Sequence, residues 1–386
     1  MKKCLICAST KTKKSGMIEK KVMSKTGKKI RKIQSYRCEN GHFFQTKHTP
    51  PWTDSFIELI VFIYLNCLSL NTTISIARAI YDVETLSKQI ILNFIEQVAD
   101  EIPGVDGIDQ LFHPKRSGYL ALDGVWFKFK GMEIVLLVCF DPETFDVIAA
   151  IWSLEECEKS YTQLLQKVIK KIKIRDIKGV YGDGDKGLMS SLKNNIPLAP
   201  FQLCIVHKEM RMGQLVPVKS VNISKRMSQK VKSEIKEFQE KFRAVIYAKN
   251  KKESLLALKT LKVYVDSSKQ ERFKKAFRSL KINFGYTLTH FDHPGMMRDN
   301  NLIECFNSII KPRLKLMRGF KKYENLDRYL KLFLLDYRFH ILKESRFKER
   351  RGLSPLQCAG VALPKMNNFL SFLRKSFNLK FSIQRT

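Results

Sequence analysis

The spacing of hydrophobic positions changes several times along the chain, and each change predicts a different kind of element. Between residues 51 and 100 apolar residues recur at helical spacing, with a polar break at 69–72, which predicts two or three short helices. From residue 117 the apolar runs become short and are bounded by Gly, Asp or Pro, as is typical of strands. Strands are predicted at residues 119–122, 134–138, 147–151, 179–181 and 201–204. Helical spacing over 155–172 separates the third strand from the fourth, so the predicted order is three strands, helix, strand, helix, strand.

The segments that follow lack a strand pattern. Residues 208–290 are rich in Lys, Glu and Gln and predict a block of helices. Residues 299–386 predict further helices with a break at Pro312. The chain as a whole is therefore predicted to have an α/β fold.

Charge narrows the class of function. The chain has 70 Lys and Arg against 37 Asp and Glu, a formal net charge of +33 at pH 7. Such an excess of cations is typical of a protein that binds a polyphosphate backbone, with an anionic membrane surface as the alternative. No run approaches the ~20 apolar residues that a membrane helix needs, and the lysine-rich N-terminus lacks the apolar core of a secretion signal. Nine cysteines, an odd number, argue against a disulfide framework and for a reducing cytosol.

The N-terminal cysteines have the spacing of a metal site. Cys4 and Cys7 form a CxxC pair, and Cys38 and His42 form a CxxxH pair after a basic stretch at 11–32. Two such pairs complete a tetrahedral set of three thiolates and one imidazole, which predicts a structural Zn²⁺ in a ribbon. The alternative is a flexible basic arm with unrelated cysteines.

The next segment fits a helix-turn-helix over residues 69–93. Ser87, Lys88 and Gln89 open its second helix, where side chains near the N-terminus can face a DNA groove. A plain helical linker domain is the alternative.

Two aspartates end predicted strands, and each precedes a glycine. Asp123 follows the strand at 119–122, and Asp183 follows the strand at 179–181. Carboxylates that converge repel one another unless a cation lies between them, and Mg²⁺ or Mn²⁺ is the cation that an all-oxygen site favours. Two such ions can activate a hydroxyl and stabilise the leaving oxygen of a phosphodiester. Asp185 is an alternative ligand to Asp183, and simple turn aspartates are the alternative to a site.

A polar stripe marks the helix that begins near residue 299. Asn300, Glu304, Asn307 and Lys311 recur at i, i+4, i+7 and i+11 on one face, and Asp299 or Asn300 is predicted to cap the helix. The apolar positions of the other face are Leu302, Phe306, Ile309 and Ile310. A carboxylate, amides and a lysine on one face are suited to a site for metal and phosphate.

Together these motifs resemble the DDE transposases of prokaryotic insertion sequences, in particular the Mutator-like superfamily. The motifs that carry the resemblance are Asp123-Gly124, Asp183-Gly184 with Gly187-Leu188, Cys204-x-x-His207 and Asn300-Asn301-x-x-Glu304-x-x-Asn307-x-x-x-Lys311. The resemblance implies an RNase H-like mixed sheet with flanking helices and a helical insertion before the glutamate. It implies that Asp123, Asp183 and Glu304 hold two Mg²⁺ ions. It gives a structural or DNA-positioning role to Cys204, His207, Asn300, Asn301, Asn307 and Lys311.

The predicted domains follow from these assignments. They are a zinc ribbon at 1–50, a helix-turn-helix at 51–105, the first part of the catalytic core at 117–207, the helical insertion at 208–290, and the completion of the core with C-terminal helices at 291–386. The implied activity is cleavage of DNA at the terminal inverted repeats of the element and strand transfer into target DNA. The implied partner is double-stranded DNA and no membrane, and the implied state is a homodimer or higher oligomer in the prokaryotic cytoplasm, at the nucleoid. The alternatives are an RNase H-like nuclease without strand transfer and a catalytically dead DNA-binding regulator.

Overall fold

The protein is described here from a computed structural model that covers residues 2–45, 51–67, 69–216, 227–316, 322–345 and 347–381. The strands are β1 (Thr12–Ser24), β2 (Gly27–Cys38), β3 (Phe43–Phe44), β4 (Tyr119–Phe129), β5 (Met132–Asp141), β6 (Asp146–Ser153), β7 (Gly179–Gly182) and β8 (Phe201–Leu203). The first helices are α1 (Asp54–Cys67), α2 (Leu70–Tyr81), α3 (Lys88–Glu101), α4 (Val105–Phe112), α5 (Glu158–Ile169), α6 (Lys186–Asn195) and α7 (Ile205–Leu215). The later helices are α8 (Gln229–Ile246), α9 (Lys251–Ser267), α10 (Glu271–Lys281), α11 (Thr289–Asp292), α12 (Asn301–Leu316), α13 (Tyr323–Phe339), α14 (Pro355–Cys358) and α15 (Phe369–Ser376).

The chain divides into two compact units. The first comprises Met1–Leu111, Gly319–His340 and Ala362–Thr386, and the second comprises Phe112–Arg318 and Ile341–Val361. In the described residues each unit has one β-sheet, with three strands in the first and five in the second. None of the described helices combines the length and the apolar character that crossing a bilayer requires.

The sheet of the first unit is built on a long hairpin. β1 and β2 pair from Thr12 opposite Cys38 to Ser24 opposite Gly27, and the two-residue strand β3 adds to β2. Gly27 ends the connecting turn with φ +101°, a conformation that side chains disfavour. These strands were not predicted, since lysines hide the alternation that would signal them. The basic stretch at 11–32 is thus part of an ordered β-hairpin, and the flexible arm that was the alternative prediction is not what the structure has.

The helices of the first unit confirm the short helices predicted from spacing. C-terminal segments pack with them through charged contacts: Arg328 on α13 binds Asp100 of α3 with two hydrogen bonds of 2.9 Å. Arg338, also on α13, is fully buried and its Nη2 donates to Asp109 of α4 at 2.5 Å. Because a buried guanidinium is costly without an acceptor, these contacts define how α13 packs.

The sheet of the second unit has the order β6-β5-β4-β7-β8. β4, β5 and β6 are antiparallel, and β7 and β8 run parallel to β4. The predicted element order is confirmed, and α5 and α6 contribute to one core with the sheet. β4 is longer than predicted, because Val125, Phe127 and Phe129 continue a buried face beyond the Asp123-Gly124 pair that interrupts the apolar run.

The helical block predicted at 208–290 is also present in its described part. α8, α9 and α10 share a core with α7 that is separate from the core under the sheet, and Phe238 stacks on Phe273 at 4.4 Å between ring centroids. The chain then returns to the sheet, where α12 packs on β4.

The predicted break at Pro312 is wrong, since Pro312 lies inside α12. A proline inside a helix costs about 3 kcal/mol. Here the helix is held by a stripe of buried residues on either side of the proline: Leu302, Ile303, Phe306, Ile310 and Leu314. Burying several large apolar side chains, at about 1.5–3 kcal/mol each, outweighs that cost. Ile309, predicted to share this face, is 46% exposed.

Candidate active site and metal centre

Asp123 lies in the middle of β4, not at its end as the apolar run suggested. The parallel pairing of β4 with β7 stops at Ala121 opposite Tyr181, whereas the pairing with β5 continues to Phe129. The β7 side of β4 is therefore open from Leu122 onward, and Asp123 lies at this opening. Asp123 thus lies just beyond the point where β4 stops pairing with β7, while β4 itself continues.

Asp183 directly follows β7, two residues beyond the last residue of β7 that pairs with β4. Asp185 is engaged elsewhere: its Oδ1 accepts hydrogen bonds from the backbone N–H groups of Gly187 at 2.7 Å and Leu188 at 3.2 Å, which caps α6. The backbone N–H of Asp185 in turn donates to Asp183 Oδ1 at 3.0 Å. The cap explains the Gly187-Leu188 motif and leaves Asp183 the more available of the two carboxylates.

The polar stripe of α12 faces the sheet. Asn300 is buried and its Nδ2 donates to the carbonyl of Leu122 at 3.2 Å, and fully buried Asn307 donates from Nδ2 to Asp123 Oδ2. Asp299 Oδ1 accepts a hydrogen bond from the N–H of Asn301, the first residue of α12, at 3.2 Å, and the side chain of Asn300 bonds to β4. These contacts bring Glu304, one turn before Asn307, beside Asp123.

The pKa of Asp123 is affected by these neighbouring carboxylates. Burial, followed by the charges of Glu304 and Asp183, raises the pKa of Asp123 to about 8. An added proton or a cation relieves such repulsion. The charges of Glu304 and Asp183 thus act on Asp123, although the three carboxylates come from β4, the end of β7 and α12.

Cys204 and His207 lie next to the same helix. Cys204 is buried, and its Sγ accepts a hydrogen bond from the N–H of Asn300 at 3.3 Å. His207 Nε2 lies 3.5 Å from Glu304 Oε1, and the interaction with Cys204 raises the pKa of His207. The CxxH motif therefore contacts the start of α12 and the side chain of Glu304. Among the described residues, a group of ligands with metal spacing occurs at the N-terminus and not here.

Glu156 is a fourth carboxylate near these residues, and no pattern in the sequence singled it out. It lies between β6 and α5, where Tyr161 donates a hydrogen bond to its Oε2 at 3.0 Å. Burial, with the charges of Asp183 and Asp185, raises the pKa of Glu156. Its only signal in the sequence is an acidic residue in the connection after a predicted strand, which is common in loops.

Glu156 also explains why Gly124 has no side chain. A Cβ built on Gly124 would lie 2.3 Å from Glu156 Oε1 and 3.0 Å from Val135 Cγ2. We expect Gly124→Ala to lower the free energy of unfolding by about 1–3 kcal/mol, because either the strand or Glu156 must move. Urea denaturation of the full chain measures this change.

Gly213 provides the matched control for this substitution. It lies in α7, and no atom comes within 4 Å of a Cβ built there. Gly213→Ala should stabilise the protein by about 0.5–1 kcal/mol, as alanine does in a helix. If both substitutions changed the free energy of unfolding by the same small amount, the close packing of Glu156 on β4 would be contradicted.

The donors at this site suit a hard cation. All four carboxylates offer oxygen, and Asn307 Oδ1 is buried without a hydrogen-bond partner among the described residues. Carboxylate and amide oxygens are the ligands that Mg²⁺ and Mn²⁺ favour. The chemistry of these donors therefore fits a divalent cation, whereas among the described residues no three carboxylates here have oxygens that all lie within 4.8 Å of one another.

The N-terminal cluster is the second place where a metal can bind. The four predicted ligands, Cys4, Cys7, Cys38 and His42, offer atoms that all lie within 4.8 Å of one another. Hydrogen bonds from the Ser9 backbone and the Asn40 side chain lower the pKa of Cys7 to about 6, which favours the thiolate that metals bind.

The residues predicted to face a DNA groove at the start of the second helix are exposed. Ser87 caps α3 by accepting from the N–H of Ile90 at 3.3 Å, and Lys88 and Gln89 follow it on the surface. α2 and α3 form the predicted helix pair, joined by residues 82–87. Asn301 and Lys311 are exposed on α12.

Comparison with known proteins identifies the family. The family model of transposases of the Mutator family matches residues 7–341. The transposase for insertion sequence element IS256 in transposon Tn4001 of Staphylococcus aureus is 22% identical over 353 residues, covering 87% of this chain and 83% of the relative. The transposase for insertion sequence element IS1201 of Lactobacillus helveticus is 23% identical over 354 residues, covering 85% of this chain and 86% of the relative.

Among solved structures, a chain of the simian T-cell lymphotropic virus intasome in complex with PP2A regulatory subunit B56 gamma matches with a TM-score of 0.20 and 10% identity. It covers 50% of this chain and 69% of that chain, and the score is too low to define the fold. The family match, in contrast, extends over most of the sequence. The chain belongs to the Mutator family of transposases.

Proposed function

We propose that this transposase cleaves DNA at the ends of its element and joins them to target DNA with a DDE site made of Asp123, Asp183 and Glu304. The observation that carries the proposal is that Asn300 and Asn307 hold α12 against β4 at Asp123. As a result, burial and then the charges of Glu304 and Asp183 raise the pKa of Asp123. Isolated turn aspartates, the alternative left open by the sequence, would not act on one another.

We also propose that the sheet of the second unit is an RNase H-like core. The five-stranded mixed sheet carries Asp123 and Asp183 on neighbouring parallel strands, and the helical insertion separates them from Glu304. The resemblance in the sequence implies this arrangement of sheet, insertion and glutamate helix.

The residues of the site divide the work. Two Mg²⁺ or Mn²⁺ ions, when bound, would supply activation of the attacking hydroxyl and charge neutralisation at the leaving oxygen. Asp123, Asp183 and Glu304 are the proposed ligands, and Glu156 adds a further carboxylate beside Gly124 and Asp183. Asn307 orients Asp123 through its hydrogen bond, and His207 holds Glu304.

Structural Zn²⁺ is the proposed occupant of the N-terminal cluster. Cys7 Sγ and Cys38 Sγ lie 3.7 Å apart, and Cys38 Sγ lies 3.6 Å from His42 Nδ1. A tetrahedron with zinc–sulfur bonds of about 2.3 Å has edges of about 3.8 Å, and both separations are close to that length, which supports Zn²⁺ as the occupant. The helix pair α2–α3, with Ser87, Lys88 and Gln89, is proposed to bind the terminal repeats. A homodimer or higher oligomer is proposed to bring the two ends of the element together.

A strand-transfer assay tests the function. The full-length protein is incubated with Mg²⁺, a labelled duplex that ends in the terminal sequence of its element, and a supercoiled target plasmid. We expect labelled plasmid, because the freed 3′-hydroxyl attacks target DNA, and we expect no product when EDTA replaces Mg²⁺.

The alternatives give different products. Nicking without labelled plasmid would favour an RNase H-like nuclease. Specific binding of the duplex with neither nicking nor joining would favour a catalytically inactive DNA-binding regulator, and either outcome contradicts the proposed transposition chemistry.

A further inference from the structure

The two longest strands form a surface that the catalytic proposal does not use. Residues 13–21 of β1 and 28–32 of β2 are exposed along the hairpin, apart from half-buried Lys20. We call these two stretches the ribbon. β3 pairs only with Tyr36 and Arg37, so the ribbon itself is two strands wide with both faces accessible.

Both ends of the ribbon are held. At one end, Cys38 belongs to the metal-ligand cluster that packs with Phe44. At the other end, the N–H of Met23 donates to Pro51 O at 2.7 Å, and the N–H of Thr53 donates to Met23 O at 2.9 Å. A two-stranded hairpin alone is marginally stable in water, so these two attachments are what keep the ribbon extended.

The charge of the ribbon is nearly all of one sign. Between Lys11 and Arg37 there are eleven Lys and Arg and one acidic residue, Glu19. Ion pairs engage three of the cations: Lys11 with Glu39, Lys28 with Asp82, and Lys32 with Glu19. The cations without a carboxylate within 4.0 Å among the described residues are Lys13, Lys14, Lys20, Lys21, Lys25, Lys29, Arg31 and Arg37.

One cross-strand pair shows that this arrangement has a cost. Lys20 lies directly opposite Arg31 in the β1–β2 register. Like charges in that position destabilise a sheet, and a polyanion that binds both removes the repulsion. Binding of a polyanion to the ribbon would therefore relieve a repulsion that is present in the free protein.

Apolar side chains stand between these cations. Met17, Ile18 and Ile30 are 56%, 41% and 61% exposed. Ile30 lies opposite Lys21 in the register, so cationic and apolar groups alternate along the same surface. A DNA groove offers both kinds of partner, since phosphates line its edges and thymine methyl groups lie on its floor.

We propose that the ribbon binds in the major groove of duplex DNA, with its cations on the flanking phosphates. The major groove is about 12 Å wide and accepts a two-stranded ribbon. Nine residues of strand extend about 30 Å, close to one helical turn of about 34 Å. The proposal rests on the proposed function only in taking DNA as the substrate, and it adds a contact surface apart from the active site.

The test uses the full-length, metal-loaded protein with Lys20→Glu and Arg31→Glu combined. Duplex affinity is measured by fluorescence anisotropy over a series of salt concentrations. We expect at least about tenfold weaker binding at 0.15 M salt, and a log–log salt slope smaller in magnitude by about 2, because two phosphate contacts are lost. Dimethyl sulfate protection reports the groove: the wild type should protect guanine N7, which lies in the major groove, and the variant should lose that protection.

The matched control carries the same charge change elsewhere. Lys252→Glu and Lys259→Glu combined reverse two exposed lysines of α9. Zinc content and melting temperature should match the wild type in both variants, and Lys20→Gln with Arg31→Gln repeats the test with uncharged side chains if the reversed pair disturbs the hairpin.

The outcomes separate this inference from the proposed function. Unchanged affinity and slope in the ribbon variants, an equal loss in the α9 control, or wild-type protection confined to minor-groove atoms would overturn the ribbon proposal while leaving the catalytic one intact. Ribbon-dependent binding to vesicles of phosphatidylglycerol without duplex binding would overturn it in favour of a membrane surface. Loss of strand transfer in Glu304→Gln, with the ribbon footprint retained, would show that catalysis depends on Glu304 and that DNA binding by the ribbon does not.

Discussion

Glu304→Gln should reduce Mg²⁺-dependent nicking and strand transfer by on the order of 10³-fold or more while leaving DNA binding unchanged. The substitution keeps the size of the side chain and removes the charge that acts on Asp123 and faces His207. Metal ions at such a site contribute several kcal/mol to the transition state, and each 1.4 kcal/mol corresponds to a tenfold change in rate. Single-turnover nicking with excess enzyme, together with anisotropy on the same duplex, measures both quantities.

A metal-binding measurement separates the cause from a general loss of structure. Isothermal titration of the wild type with Mn²⁺ should show binding that Glu304→Gln weakens, with an unchanged urea midpoint. Glu155→Gln is the matched control, since Glu155 is exposed and lies next to Glu156 without being part of the site. If Glu304→Gln nicks DNA at the wild-type rate, the DDE assignment is wrong and the protein uses other residues for the reaction.

The three carboxylates proposed as metal ligands were selected on short-range signals in the sequence. Asp123 and Asp183 each follow an apolar run, and the Asn-Asn-x-x-Glu stripe has helical spacing, so local patterns were sufficient to select them. These patterns could not predict that the amides of the polar stripe are buried. Asn300 and Asn307 look like surface residues in sequence, but they are buried because α12 packs on β4 and their amides bond Leu122 and Asp123.

Glu156 and the ribbon show two different reasons for failure. Glu156 gains its environment from Tyr161 on the next helix and from Gly124 on β4, two strands earlier, so no local pattern marks it. The ribbon is hidden for the opposite reason, since its local composition is dominated by lysines that are disfavoured in strands. Its strand structure depends on attachments at both ends, and these become visible only when Cys38 and Met23 are placed in space.

The same dependence on attachment predicts the effect of losing the N-terminal metal. Cys38→Ala should remove the proposed zinc, about one equivalent per chain, and should unfold the end of the three-stranded sheet at the metal-ligand cluster, because the buried residues there, Cys4, Cys38 and Phe44, include two of the ligands themselves. Zinc contributes about 10–16 kcal/mol to the folding of small zinc domains, far more than so few apolar contacts can supply. Zinc content by elemental analysis and amide hydrogen exchange of β1 and β2 provide the readout, with fast exchange expected from Thr12 towards the centre of the hairpin.

Cys305→Ala is the control, since Cys305 is an exposed thiol on α12 outside the cluster. It should retain zinc and slow exchange, and the wild type treated with a chelator should reproduce the Cys38→Ala pattern. Because the contacts of Met23 with Pro51 and Thr53 do not involve the metal, exchange near the tip of the hairpin should remain slower than near Thr12. Full zinc content in Cys38→Ala, or exchange that is uniform along both strands, would show that the ribbon is held by something other than these two attachments.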